Sequence, residues 1–130
     1  MNNNDKVWNF DNVPQEFWQR IEETGGNIEK FKENLQAFSE AELKEIFAQY
    51  KGLSQFLVME GFTQFPQILK EESVETLEEI ANWVITQGRS KYEEILKQPE
   101  QFPLREDVRR PIFAGAIISV YTHKFGPWRA

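Results

Sequence analysis

The stretch Phe38-Ser39-Glu40-Ala41-Glu42-Leu43-Lys44-Glu45-Ile46-Phe47-Ala48-Gln49-Tyr50 decides the fold class. Ser39 followed three residues later by Glu42 is a capping box, in which a hydroxyl and a carboxylate each take up a backbone N–H that a helix start leaves without a partner. Phe38 just before the cap and Leu43 at the fourth helical position supply a hydrophobic staple. Leu43, Ile46, Phe47 and Tyr50 then recur at spacings of three and four, the period of one buried helix face. Gly52 is expected to interrupt this helix before Leu53, Phe56, Leu57 and Val58 continue as a more apolar, central helix.

On the N-terminal side, Ile28, Phe31 and Leu35 form a second core-facing stripe that stops near Phe38. Before it, Pro14 suits the first turn of a helix over about residues 14–24 that buries Phe17 and Ile21 with Trp18 beside them, and Gly25 and Gly26 end it. Residues 1–13 are expected to form an extended arm, partly disordered where Asn2, Asn3, Asn4 and Asp5 fray, that docks through Trp8 and Phe10. On the C-terminal side, Gly61 and Pro66 bracket an expected bend holding Phe62 and Phe65. Ser73 then caps a helix with Leu77, Ile80, Ala81 and Val84 on its apolar face and Trp83 to one side. Gly88 stops it. Ser90 starts a short helix carrying Tyr92, Ile95 and Leu96, and residues 98–111, with three prolines, read as a loop. Ile112 to Lys124 suits either a strand, from its β-branched Ile117, Ile118 and Val120, or a helix, which its length favours; Gly126 and Pro127 end it. The expectation is an all-α, compact single-domain bundle of about six to seven helices over residues 14–130, with the N-terminal arm added.

Composition narrows the function. The 130 residues fit one domain, and 40% hydrophobic with 14% aromatic content, including 11 Phe and 4 Trp, is too rich for a disordered chain. A formal charge of -6 argues against nucleic acid as a partner. With no Cys there is no disulfide, thiolate metal site or cysteine nucleophile. Neither a secretory leader nor a run of about 20 apolar residues is read, so a cytoplasmic protein without membrane association is expected. The charge is uneven: residues 1–100 carry 10 basic against 19 acidic side chains, and residues 101–130 carry 5 against 2. Arg105, Arg109, Arg110 and Arg129 in that tail suit a local partner for the acidic body better than a nucleic-acid site.

Motifs for chemistry are missing. There is no phosphate-cradling glycine loop and no Gly-x-Ser-x-Gly elbow, and the single His, His123, reads as an exposed residue near a helix end rather than a catalyst. Glu71, Glu72, Glu75, Glu78 and Glu79 cluster, and Glu75 and Glu79 lie one turn apart, a spacing that could hold a hard cation. They lack the Glu-x-x-His pairs of a di-metal bundle and the Asp/Asn spacing of a calcium loop, so a solvated acidic helix start is the simpler reading. No catalytic residue, cofactor or metal is expected, and the reading favours a protein that is not an enzyme.

At Phe17-Trp18 with Ile21, and at Trp83-Val84-Ile85 followed by Gln87-Gly88-Arg89 and Tyr92, the chain resembles a bacterial domain of unknown function, family 4240. The resemblance spans about residues 16–126 and implies a small helical bacterial domain with no assigned reaction. The chain departs from the family at Ser73-Val74-Glu75, where the family carries Ser-Asp-Asp, and at Gln98-Pro99, where it carries aspartate-proline.

Two functions follow as expectations. The first is a protein-binding module, an immunity or inhibitor protein that neutralises a bacterial toxin by covering its active surface. Its candidate acidic interface is Glu71, Glu72, Glu75, Glu78 and Glu79, and its partner is a basic toxin steered by charge. The second is a small enzyme or ligand sensor whose pocket is lined by Trp18, Trp83 and Tyr92, with Gln87 and Arg89 as polar groups. In the plainer alternative for Arg89, it pairs with Glu93 four residues on. A third reading, a scaffold within a larger assembly, would require a large exposed apolar patch.

Overall fold

A computed structural model describes residues 8–64, 74–98 and 113–128. Among these residues the fold is all-α, with six helices: α1 (Gln15–Glu22), α2 (Ile28–Leu35), α3 (Glu40–Gln64), α4 (Val74–Thr86), α5 (Arg89–Lys97) and α6 (Phe113–Phe125). Within the segment Ile112 to Lys124, the described residues from Phe113 onward are thus helical. The expected Ser73 cap, Phe65 and Pro66 of the bend, and residues 99–111 of the expected loop lie outside the described residues.

The capping box at the start of α3 forms in both directions. Ser39 N–H donates to Glu42 Oε1 at 2.9 Å, and Glu42 N–H donates to Ser39 Oγ at 3.2 Å. Ser39 holds the Glu42 carboxyl below its ordinary range, through its backbone N–H first and its side-chain hydroxyl second. Phe38 and Leu43 both join the core, as a staple requires.

Two expectations fail here. Gly52 does not interrupt α3, which runs unbroken for 25 residues, about 37 Å at the helical rise, and the expected bend does not begin at Gly61, since the helix continues through Gly61 and Phe62 to Gln64. Gly52 serves a tertiary purpose instead. The backbone of Trp8 crosses the helix there so closely that a Cβ on residue 52 would lie 2.5 Å from the Trp8 carbonyl oxygen and 2.9 Å from its Cβ. Only glycine leaves that space.

Helix α3 is the axis of the bundle, packed against α4, α5 and α6, while α2 packs on α6 and α4 touches both α5 and α6. All three tyrosines tie other helices to it. The Tyr50 phenol on α3 meets Thr86 Oγ1 of α4 at 2.6 Å and donates to Asn82 O at 2.9 Å. Tyr92 of α5 donates to Leu53 O at 2.6 Å, and Tyr121 of α6 donates to Glu40 Oε1 at 2.7 Å. A buried phenol needs such a partner, so each bond specifies how its helix sits as well as stabilising it. Phe17 anchors α1 through an edge contact with the Tyr50 ring, centroids 5.9 Å apart. Lys124 at the end of α6 donates to the carbonyls of Gln36 and Phe38, placing a cation where α2 has run out of N–H partners.

Candidate functional site

The arm ahead of α1 carries a turn of its own beside its docking contacts. Asn9 Oδ1 accepts from the N–H groups of Asp11 at 2.8 Å and Asn12 at 3.1 Å, Asn9 N–H donates to Asn12 Oδ1 at 2.8 Å, and Val13 N–H donates to Asn9 O at 3.1 Å. Asparagine favours such turns because its side chain imitates a backbone carbonyl. The turn presents Phe10 to the body. Its ring stacks on Tyr92 with centroids 5.5 Å apart and planes 13° from parallel, and meets the edge of Trp18 at 6.3 Å.

These contacts show where the expected aromatic pocket stands. Trp18 and Tyr92 do come together, with ring centroids 5.5 Å apart, but they are 2% and 0% exposed and Phe10 fills the space beside them. Such ring pairs add about 0.5–1.5 kcal/mol each beyond their burial. Trp83 is not part of this cluster; it stands half-buried on α4. Arg89 caps the cluster from outside, its guanidinium carbon 5.2 Å from the Phe10 centroid. Its backbone N–H donates to Glu22 Oε2 at 3.1 Å, tying the start of α5 to the end of α1. Gly88 makes that junction possible with φ +106°, a conformation that side chains disfavour.

The expected Arg89 and Glu93 ion pair gives way to another. Glu93 pairs with Lys97 at 3.0 Å, in the favoured order with glutamate one turn ahead of lysine, and that bond lowers the Glu93 carboxyl below its ordinary range. An open cleft of about 350 Å³ runs along Arg89, Ser90, Glu93, Glu94 and Lys97. Its walls are polar and of mixed charge, and no aromatic ring lines it.

The second candidate set falls on α4. This helix carries Glu75, Glu78 and Glu79 and no basic residue. Its inner face is Leu77, Ile80, Ala81, Val84 and Ile85, all buried. Glu79, Trp83 and Gln87 follow at intervals of four, Glu79 and Gln87 exposed and Trp83 half-buried between them; Glu78 is half-buried alongside. Among the described residues no ion pair includes Glu78 or Glu79, and no ring contact or hydrogen bond engages the Trp83 side chain. Glu71 and Glu72 lie outside the described residues. The structure therefore joins Trp83 and Gln87 to Glu78 and Glu79 in one surface, a grouping that the two separate candidate sets missed. The spacing from 79 to 83 to 87 was the available signal.

Among the described residues no group of three or more His, Asp or Glu side chains converges as a metal site would require. No described helix is long and apolar enough to cross a membrane. No family model, curated protein or solved structure matches the chain, so the resemblance to family 4240 rests on the quoted residues alone.

Proposed function

We propose that the chain is a protein-binding module that presents the outer face of α4 to a basic protein surface. In its finer form it is an immunity or inhibitor protein that neutralises a toxin by covering the active surface. The observation that carries this reading is Trp83, half-buried on the core and flanked by Glu79 and Glu78, neither of which has an ion-pair partner among the described residues. Aromatic anchors of this kind supply much of the energy of protein interfaces, and unpaired charges around them speed association with a partner of opposite sign. The net charge of -6 acts in the same direction. The enzyme or sensor reading loses support where Phe10 fills the slot beside Trp18 and Tyr92.

The test begins with the genes that flank this one. A neighbour encoding a basic secreted toxin, whose purified product forms a complex with this chain at low salt, supports the reading, provided that the complex weakens on raising the salt and is lost with Trp83→Ala. Absence of such a neighbour, failure of the complex to form, or a complex indifferent to Trp83→Ala and Glu79→Gln would reject the toxin-inhibitor form.

A further inference from the structure

The aromatic slot beside Trp18 and Tyr92 has a ligand already in it, and that ligand belongs to the chain. Three features of the body receive the arm: the missing Cβ at Gly52 admits the Trp8 backbone, the Tyr92 face and the Trp18 edge take the Phe10 ring, and the Arg89 guanidinium covers that ring. Together they read a short sequence, an aromatic residue two positions after a backbone that must lie flat on a helix. The arm in turn arrives preshaped, because the turn bonds of Asn9 and Asn12 are internal to it. Preshaping lowers the ordering cost of docking.

We infer that residues 8–10 form a strap over a peptide-recognition groove, and that the groove accepts a Trp-x-Phe segment in trans when the strap is lifted. Phe10 lies only five residues before α1, so the strap acts at an effective concentration on the order of millimolar or above. A competing segment must overcome that advantage. The closed form therefore dominates in the free chain, and weakening the strap without touching the groove opens the site.

The probe is a labelled synthetic peptide of residues 5–13, titrated against the full chain and followed by fluorescence anisotropy. The Phe10→Ala chain, with Tyr92, Trp18, Arg89 and Gly52 intact, is expected to bind the peptide at least roughly tenfold more tightly than the unaltered chain does. A peptide carrying Phe10→Ala is expected to bind neither chain. The Asn9→Gly chain, which loosens the turn and leaves every groove residue and Phe10 in place, provides a second opening should Phe10→Ala fail to fold. A folded Phe10→Ala or Asn9→Gly chain that takes up no peptide at about 1 mM, or that binds both peptides equally, overturns the inference.

Discussion

The backbone carbonyl of Trp8 rests on Gly52, closely enough that a Cβ at residue 52 would lie 2.5 Å from its oxygen. The neighbour is backbone, which cannot rotate aside, so Gly52→Ala must displace the arm. On helix propensity alone the same change would stabilise α3 by about 1 kcal/mol. The two effects separate by method. Far-UV circular dichroism should show the helices retained, while chymotrypsin should cleave after Trp8 and Phe10 faster than in the unaltered chain. An alanine variant with unchanged protection would mean that the arm does not sit on α3.

Tyr92→Phe removes the 2.6 Å bond to Leu53 O and leaves that carbonyl facing a ring edge at the α3 to α5 contact. A loss of about 0.5–1.5 kcal/mol is expected in urea unfolding, the usual net worth of one hydrogen bond, because Leu53 O keeps its place in the backbone ladder of α3. No loss would indicate that water replaces the phenol.

Two titrations of opposite sign contribute to the pH dependence of stability, with Glu93 acting on the acid side as Glu42 does. Glu42 has its carboxyl lowered from an ordinary value of 4.5 by Ser39, so its contribution is present above about that pH and is lost as pH falls through the folded value. Tyr121 runs the other way. Its phenol is raised from 10.0 chiefly by the bond to Glu40, so its contribution is whole below pH 10 and is lost as pH rises through the folded value. Thermal melts across pH should show Glu42→Gln flattening the acid limb alone and Tyr121→Phe the alkaline limb alone. Ser39→Ala should cost about 1 kcal/mol at neutral pH through the lost cap.

Tryptophans 18 and 83 should part company under substitution. Trp18→Ala empties a fully packed site and is expected to cost about 3–5 kcal/mol. Trp83→Ala, on a half-buried side chain, is expected to cost about 1–2 kcal/mol and leave the fold intact. Chemical denaturation of the two variants measures the difference. Equal costs would place Trp83 among the structural core residues.

The helices were legible in the sequence because their causes are local. The Ser39 and Glu42 box, the stripe from Leu43 to Tyr50 and the stop at Gly88 each depend on residues within about one or two turns. Gly52 was misread for the complementary reason: its role is set by Trp8, far away along the chain, and local spacing shows only a weak helix former. The candidate site divides in the same way. Sequence spacing brought Trp18 and Tyr92 to notice as aromatic residues, yet only tertiary packing shows that Phe10 occupies the space beside them and that Arg89 turns to Phe10 rather than to Glu93. The α4 surface lay in between, since the interval from Glu79 to Trp83 to Gln87 is in the sequence but its exposure is not.

Photo-crosslinking tests the α4 surface without naming its partner in advance. A photoreactive phenylalanine analogue is placed at Gln87, one turn beyond Trp83, and in a separate chain at Glu94, an exposed position on α5. Both chains are irradiated in the native host. Protein adducts that form from position 87, fall sharply when Trp83→Ala is added, and are weak from position 94 are the expected result. Adducts equal at the two positions, or unaffected by Trp83→Ala, would refute the assignment of α4 as the binding face.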